Sequence, residues 1–347
     1  MRILVIGNSR AARVFTNCLA KNEDNIVITT AADCENNYID ISPGDVDELK
    51  EFAEANELDL TIVCDPELME KDFVSKFNSA NLAVFSPDPE ALKIVSSRGY
   101  GKKFMYKNKI HTPKFAIFDK AQLAIEYARA SNYPLIVRSD ESASIWPDVK
   151  CNTFAKAVSA IENLFDNCAK KVVLQSFVEG RQFTYYVLTD GYNVMPIDSV
   201  ATFKNEYAYL DAGFIDEDIK KKILKSVFNS AVSALEKYST GYTGILGIDF
   251  VLTDRNELFA LEFKSFFNDL DVELFTESVE EDWGKLLNGA IVGSLLDDYS
   301  EIKKSQRCFI AAKSGDDYII EEGLTLNQAK EKMAEFDGVE GICNWKF

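Results

Sequence analysis

The sequence predicts a mixed α/β protein that begins with a doubly wound parallel sheet. Residues 2–6, RILVI, form a strand-like stretch that is apolar after Arg2 and ends at Gly7, and residues 11–21 then have helical character. The alternation repeats, with a capping-box-like helix start at Asp45 followed by the buried-strand sequence LDLTIVCD. Strands that alternate with helices in this way build a doubly wound domain of about 100 residues.

Later segments combine the same α/β pattern with antiparallel hairpins. FTYYVLTDG and YNVMPI meet at Asp190-Gly191, which is a strong hairpin signal. Helices are predicted over 89–109 and 216–238, and GILGIDFVLT and ELFALEFKS are predicted to form two adjacent strands. We therefore expect three parts, which are an N-terminal α/β domain at 1–100, a second domain at 101–300 and a small C-terminal αβ segment at 301–347.

Charge and hydropathy disfavour several classes of partner. The chain has 347 residues and a formal net charge of −18, which repels nucleic-acid phosphates and anionic membrane surfaces. It contains no apolar run of about 20 residues that could cross a bilayer. The opening MRILVIG lacks the features of a signal peptide. We expect a cytoplasmic protein with no nucleic-acid or membrane partner.

The cysteines and the single histidine offer little chemistry. The seven cysteines are scattered without a CxxC pair, as is typical of reduced thiols. His111 lies in KIHTPKF, close to a proline, and is interpreted as a loop residue. A Ser-His-Asp triad or a histidine-based zinc site would depend on this one residue, so both are disfavoured.

Two acidic residues interrupt the apolar runs of the predicted adjacent strands. Asp249 lies in LGIDFVL and Glu262 in ALEFKS. A buried carboxylate is costly unless it is paired or bound to a cation. Two facing carboxylates would suit Mg²⁺, which binds carboxylate and phosphate oxygens together. The alternative is that Lys264, two residues after Glu262, neutralises one of them, and the sequence leaves both interpretations open.

Basic residues precede the second predicted domain and end one of its strands. Arg98, Lys102 and Lys103 form the first group, and Arg138 ends the apolar run of PLIVRSD. A cation at the end of a buried strand is a reasonable triphosphate ligand, because its field is strong where water is excluded. Surface lysines are usually solvated, so Lys103 is the weaker candidate.

QSFVEGRQ, between two strands, could contact a nucleotide base. The backbone of Ser176, Phe177 and Val178 could bind an adenine edge, and Gln182 could reach a ribose hydroxyl. The alternative is an ordinary strand-turn-strand connection.

In their order and spacing, these segments resemble the glycinamide ribonucleotide synthetase (phosphoribosylamine–glycine ligase) family of ATP-grasp enzymes from purine biosynthesis. The resemblance includes MRILVIG, DLTIVCDPELM, FSPDPEALKIVSSRGYGKKFMYKNKIHTPKFAIF, YPLIVRSD, VVLQSFVEGRQFTYYVLTDGYNVMPI and GILGIDFVLTDRNELFALEFKSFFND. It implies that the second domain is an ATP-grasp core, which binds ATP between two lobes.

The resemblance also implies roles for nucleotide-binding residues. Arg98 and Arg138 stand where the family has two triphosphate-binding lysines, and they would stabilise charge on the transferring phosphoryl group. Gln175 and Gln182 fall where the family has acidic residues near adenine and ribose.

Metal binding is implied at the two acidic positions. Glu262 falls on the family's metal-binding glutamate, and Asp249 falls on a position that is acidic in several other ATP-grasp enzymes. The expected ion is Mg²⁺, with Mn²⁺ as the alternative.

Several positions depart from the family pattern. Ile145-Trp146-Pro147 aligns with a flexible loop containing Gly-Lys-Gly, Lys264 with a metal-binding asparagine, and Phe266 with an arginine for substrate phosphate. Ser9-Arg10-Ala11-Ala12-Arg13 aligns with Gly-Gly-Arg-Glu-His, and NEYAYLDAGF lies where a glycine-rich loop is expected.

The resemblance implies an ATP-dependent carboxylate–amine ligase that forms an amide through an acyl phosphate. Its substrates would be glycine and phosphoribosylamine if the family's chemistry is kept, and a homodimer is compatible with the sequence. The alternative is a catalytically inactive homologue with a nucleotide-binding, structural or regulatory role, which Lys264 and the altered loop favour. A nicotinamide oxidoreductase is disfavoured because GNSRAAR lacks GxGxxG.

Overall fold

The computed structural model describes residues 1–34, 37–141, 146–203, 206–211, 213–238, 241–314 and 317–335. Its strands are β1 (Arg2–Ile6), β2 (Ile26–Thr29), β3 (Asn37–Tyr38), β4 (Leu60–Val63), β5 (Val84–Phe85), β6 (Phe115–Phe118), β7 (Leu135–Ser139), β8 (Val149–Cys151), β9 (Val172–Ser176), β10 (Arg181–Asp190), β11 (Val194–Phe203), β12 (Tyr207–Leu210), β13 (Thr243–Leu252), β14 (Leu258–Lys264), β15 (Cys308–Ser314) and β16 (Asp317–Gly323).

Helices lie between most of these strands. They are α1 (Arg10–Ala20), α2 (Val46–Ala55), α3 (Pro66–Met69), α4 (Phe73–Ser79), α5 (Pro89–Ser96), α6 (Arg98–Lys107), α7 (Ala121–Arg129), α8 (Phe154–Asp166), α9 (Glu217–Ile223), α10 (Asn229–Tyr238), α11 (Asp269–Ser278), α12 (Trp283–Val292), α13 (Leu295–Asp298) and α14 (Leu326–Met333), and a π-helical segment, Leu224–Phe228, joins α9 to α10.

The N-terminal strands form the predicted doubly wound parallel sheet, with the order β3-β2-β1-β4-β5. Val5 of β1 lies between Thr29 of β2 and Ile62 of β4. The strand order reverses between β1 and β4, and ligands of doubly wound sheets bind at the carboxyl ends of strands at such a reversal. The prediction of a mixed α/β fold with this sheet is confirmed.

Two further sheets make up the rest of the fold. One has the order β6-β9-β7-β8, with antiparallel pairing throughout. The other has the order β14-β13-β10-β11-β12-β15-β16. The Asp190-Gly191 hairpin joins β10 to β11 as predicted, and the Asp190 carboxylate accepts hydrogen bonds from the amides of Tyr192 and Asn193 at 2.9 and 2.6 Å.

The described chain divides into two compact units, neither of which is continuous in sequence. Unit 1 contains Met1–Ala91, Phe183–Gly247 and Ser265–Phe347, and unit 2 contains Leu92–Gln182 and Ile248–Lys264. The domain boundaries at residues 100 and 300, which were drawn from the sequence, stay a prediction. In unit 2, α7 and α8 pack with the four-stranded sheet around buried residues that include Ala128, Val137, Ile161 and Leu174.

Two predicted helices are interrupted. The helix expected over 89–109 is divided into α5 and α6, because Ser97 has extended backbone and its hydroxyl caps α6 by accepting from the amide of Tyr100 at 3.1 Å. The helix over 216–238 contains the π-helical segment Leu224–Phe228. No helix in the described part of the chain has both the length and the apolar character to cross a membrane.

Candidate nucleotide site

The carboxylate of Glu262 lies between two guanidinium groups in unit 2. Its Oε1 is 2.9 Å from Nε of Arg98, and its Oε2 is 2.9 Å from Nη2 of Arg138. All three side chains are largely buried, with exposed fractions of 16%, 11% and 10% respectively. Three residues that the sequence predicted for one site, from α6, β7 and β14, are therefore in direct contact.

Arg98 is held at the first turn of α6 by the end of β7. Its backbone N–H donates to the carbonyl of Asp140 at 2.8 Å, and its Nη1 donates to the carbonyls of Ser139 and Glu141 at 3.2 and 2.7 Å. The amide of Gly99 donates to Oδ1 of Asp140 at 2.6 Å, and a Cβ at Gly99 would lie 2.6 Å from that same oxygen. This close approach requires glycine beside Arg98.

Arg138 contacts two carboxylates, one of which the sequence analysis did not identify. It forms ion pairs with Asp148, which lies just before β8, and with Glu262. Burial acts to lower the pKa of the Arg138 guanidinium, but the neighbouring Glu262 and Asp148 outweigh burial and raise that pKa above its usual value. Arg138 is therefore a permanent cation in this cluster.

Lys102 is a buried basic residue next to the same cluster. Only 2% of its surface is exposed, and its Nζ donates to Oγ1 of Thr112 at 2.8 Å. Burial, helped by the positive charge of Arg138 and opposed by Glu262, lowers the pKa of Lys102 to about 7. Lys103, the other lysine of this group, is exposed.

Asp249 forms an ion pair with Lys264. Oδ1 of Asp249 is 2.9 Å from Nζ of Lys264, and each side chain is 29% exposed. The sequence left two interpretations of Asp249 open, which were metal binding and an internal ion pair with Lys264. The structure contains the ion pair.

The carboxylates predicted to bind Mg²⁺ are thus in contact with cations of the chain. Both oxygens of Glu262 contact guanidinium groups, and Asp249 contacts an ammonium group. Within the described ranges, no group of three or more His, Cys, Asp or Glu side chains could hold a metal ion. A divalent cation bound to these oxygens would lie close to like charges, so the residues as arranged do not fit Mg²⁺ or Mn²⁺.

The predicted adenine-binding segment contains one buried acceptor. Gln175 of β9 is 5% exposed, and its Oε1 accepts no hydrogen bond from the described residues. The amides of Ser176 and Phe177 donate to the carbonyls of Lys114 and Pro134 at 2.8 and 3.2 Å. These two amides are already used within unit 2, so Gln175 is the stronger candidate for contact with a base.

Val178 and Gln182 complete the predicted base and ribose contacts. Val178 is partly buried between β9 and β10, and Gln182 is exposed at the start of β10. A ribose hydroxyl could reach Gln182 from solvent, and its role stays a prediction.

The segment aligned with the family's flexible loop is partly anchored in the core of unit 2. Residues 142–145, including Ile145, lie outside the described residues. Trp146 is partly buried and packs against the core that α7 and α8 form with the sheet. An aromatic side chain in the core followed by Pro147 restricts this end of the segment.

Unit 1 contains a second polar arrangement, which the sequence analysis missed. Asp65 lies two residues after the end of β4, and its Oδ2 accepts hydrogen bonds from the amides of Asn8 and Ser9 at 2.8 and 3.3 Å. Gly7 has a φ of +152°, and a Cβ there would lie 2.7 Å from Oδ1 of Asp65. A signal was available, because Asp65 ends the sequence LDLTIVCD, which is predicted to be a buried strand. We call Gly7, Asn8, Ser9 and Asp65 the N-terminal crevice.

Other departures from the family pattern also have structural counterparts in unit 1. Phe266 is 3% exposed, and its ring is 5.7 Å from that of Phe15 and 5.4 Å from that of Phe267. Arg10 forms an ion pair with Glu273 at 2.7 Å. The segment in place of the glycine-rich loop contains β12, which pairs with β11 and β15.

Comparison with known proteins defines the class and then the family. The fold is that of ATP-grasp proteins. A family model described as phosphoribosylglycinamide synthetase, ATP-grasp (A) domain, matches residues 96–272, which is just over half of the chain and includes the Glu262 cluster. The chain belongs to this family of ligases, and the resemblance seen in its sequence is confirmed.

Relatives with this name match most of the chain at low identity. Phosphoribosylamine–glycine ligase from Clostridium acetobutylicum is 23% identical over 338 residues, covering 91% of this chain and 81% of that protein. The ligase of the same name from Pasteurella multocida is 26% identical over 332 residues, covering 89% and 76%. The crystal structure of phosphoribosylamine–glycine ligase from Thermotoga maritima has a TM-score of 0.76 and 15% identity, and covers 96% of both chains.

Proposed function

We propose that this chain is an ATP-dependent ligase that joins a carboxylate to an amine. The relatives' name, phosphoribosylamine–glycine ligase, describes a reaction of this kind. The observation that carries the proposal is the pair of guanidinium groups, Arg98 and Arg138, assembled on Glu262 inside the segment that the family model matches. Two largely buried guanidinium groups in one place are suited to bind the phosphates of a nucleotide.

The reaction would proceed in two steps. A carboxylate oxygen of the substrate attacks the terminal phosphorus of ATP, so that an acyl phosphate forms and ADP leaves. The amine nitrogen then attacks the acyl carbon, inorganic phosphate leaves, and the nitrogen loses a proton as the amide forms. Arg98 and Arg138 would stabilise the charge that develops on the transferring phosphoryl group, and Glu262 would hold both guanidinium groups in position.

The base and ribose would be bound by residues next to this cluster. Oε1 of Gln175 lacks a hydrogen-bond donor among the described residues, and the amino group of adenine is a donor of the required kind. The carbonyl groups of Ser176, Phe177 and Val178 could share this contact. Gln182, exposed at the start of β10, would reach a ribose hydroxyl.

Glycine is the carboxylate that we propose, following the names of the relatives. The contacts of the N-terminal crevice favour an amine that carries no phosphate group. The carboxylate of Asp65 accepts hydrogen bonds from the amides of Asn8 and Ser9. Phe266 is buried among aromatic rings, at the position where the family resemblance implied an arginine for substrate phosphate. A cytoplasmic location and a homodimer remain predictions.

ATP turnover tests this function. We expect ADP release when ATP, glycine and a suitable amine are combined, with phosphoribosylamine and unphosphorylated amines compared in parallel. Arg138→Met should lower turnover by about 100-fold or more, because a charge-stabilising group is lost. Arg255→Met, in the exposed turn between β13 and β14, is the matched control and should leave turnover unchanged.

The second candidate is a catalytically inactive homologue that binds a nucleotide in a structural or regulatory role. The ion pair between Asp249 and Lys264 and the anchoring of Trp146 favour it. Nucleotide binding without ADP release from any acid and amine pair would support this candidate and exclude the ligase.

A further inference from the structure

We propose that the candidate nucleotide site binds its nucleotide without a divalent metal ion, with Lys264 and the two arginines supplying the positive charge. The inference rests on the nucleotide-binding part of the proposed function, and it does not require catalysis. It concerns the cluster of Arg98, Arg138, Glu262, Asp249 and Lys264 in unit 2.

The oxygen atoms that a metal ion would need already contact cations. Oε1 and Oε2 of Glu262 are each 2.9 Å from a guanidinium nitrogen, and Oδ1 of Asp249 is 2.9 Å from the ammonium nitrogen of Lys264. Mg²⁺ binds oxygen at about 2.0–2.1 Å with near-octahedral geometry. An ion at that distance from these oxygens would be close to positively charged nitrogens that the chain holds in place.

The cluster is also balanced in charge as it stands. Arg98, Arg138 and Lys264 contribute three positive charges, and Glu262, Asp249 and Asp148 contribute three negative charges through the ion pairs of unit 2. A divalent ion bound at these side chains would add two positive charges beside three cations that the chain already holds there. A phosphate oxygen would contact these cations in competition with their carboxylate partners.

Lys264 is the residue best suited to this role. It follows Glu262 by two positions in β14, so both side chains leave the same face of the strand. Its ammonium group has three donors and can contact Asp249 and a phosphate oxygen together. With 29% of the side chain exposed, it can be reached by a ligand, whereas Arg98 and Arg138 are nearly buried.

Calorimetric titration of the full-length protein with ADP and with a non-hydrolysable ATP analogue tests the inference. We expect the same affinity in EDTA and in millimolar MgCl₂. Affinity that is about tenfold or more tighter with MgCl₂ would overturn the inference and leave the proposed nucleotide site intact. Absence of binding in both buffers, with the protein folded by circular dichroism, would overturn the inference and the proposed function together.

A substitution separates the contribution of Lys264 from that of the arginines. Lys264→Asn should weaken binding in EDTA by about tenfold, and MgCl₂ should now restore it, because the variant removes the ammonium group from Oδ1 of Asp249 and adds an amide oxygen. Lys109→Asn is the matched control, since Lys109 is exposed in unit 2 and has a φ of 59°, which asparagine accepts readily. Equal losses in both variants would contradict the role of Lys264.

Failure of catalysis gives a different result from failure of this inference. Metal-independent binding without ADP release would support the inference and overturn only the ligase function. ADP release that occurs solely with MgCl₂, together with Mg²⁺-dependent binding, would support the ligase and overturn the inference.

Discussion

The N-terminal crevice and the Glu262 cluster each contain a carboxylate that accepts from two groups, but the groups differ in charge and burial. In the crevice, one carboxylate, Asp65, accepts hydrogen bonds from neutral backbone amides. In the cluster, one carboxylate, Glu262, lies between two nearly buried guanidinium groups. Loss of Asp65 leaves amides that water can solvate, whereas loss of Glu262 leaves two cations facing each other.

The largest expected effect is on the Glu262 cluster. Glu262→Gln should lower the free energy of unfolding by about 3–5 kcal/mol, because the variant leaves Arg98 and Arg138 buried without their shared counterion. Urea denaturation measures the change. Glu257→Gln, in the exposed turn before β14, should change stability by less than about 0.5 kcal/mol. A loss below about 1 kcal/mol at Glu262 would show that the two regions do not differ as described.

A second effect concerns Lys102, which has no counterpart in the N-terminal crevice. The folded-state pKa of Lys102 is about 7 against an ordinary value of 10.5. Between these values the unfolded chain binds a proton that the folded chain does not, so this group makes stability rise with pH by about 1.4 kcal/mol per pH unit. Lys102→Met removes this slope, because it removes the titrating group.

Urea denaturation across this pH range measures the effect of Lys102. The variant should exceed the wild type in stability by the largest margin below pH 7, and the margin should shrink towards pH 10.5, where the wild-type lysine is neutral when folded and when unfolded. Lys103→Met, at an exposed position of the same helix, should give a margin that does not depend on pH. The same flat profile for both variants would contradict the lowered pKa of Lys102 in the folded protein.

The N-terminal crevice should respond more weakly. Asp65→Ala should cost about 1–2 kcal/mol, because two amides at the start of α1 lose a charged acceptor. Asp72→Ala is the control, since Asp72 precedes α4 without a side-chain cap and should change stability little. Added phosphate should raise the melting temperature of the Asp65 variant more than that of the wild type. Equal phosphate effects would show that Asp65 does not occupy an anion site.

The smallest effect is expected at the partly exposed pair. Asp249→Asn should lower the free energy of unfolding by less than about 1 kcal/mol, because solvent weakens an ion pair whose side chains are 29% exposed. The loss should shrink further in high salt. Chemical denaturation at two salt concentrations measures this, and a loss that equals that of Glu262→Gln would remove the contrast between buried and exposed pairs.

The sequence predicted those parts of the fold whose signal is local. β1 and β4 consist mostly of buried apolar residues, so both were identifiable, whereas β3 is two exposed residues and has no hydrophobic pattern. Arg138 and Glu262 were identifiable because each is a charged residue in or beside an apolar segment, and Arg98 because it begins a group of basic residues ahead of the second predicted domain.

The partners of these residues depend on which strand and helix ends meet in three dimensions. Asp148 contacts Arg138 only because β8 pairs with β7. Asp140 accepts a hydrogen bond from Gly99, beside Arg98, only because the end of β7 meets the start of α6. The period of a strand places Lys264 and Glu262 on one face, but it does not specify whether Lys264 or another cation lies beside Asp249 of β13. That choice depends on strand register, which the residue pattern alone does not determine.

The π-helical turn between α9 and α10 has a consequence for chain length. Its hydrogen bonds span one residue more than those of an α-helix, so Leu224–Phe228 accommodates one extra residue within a single turn. The residues after this turn therefore keep the faces that they would have in a regular helix without the extra residue. If the extra residue were accommodated in regular α-helix instead, α10 would rotate by about 100°, and Ala231, Val232 and Leu235, which are buried, would turn towards water.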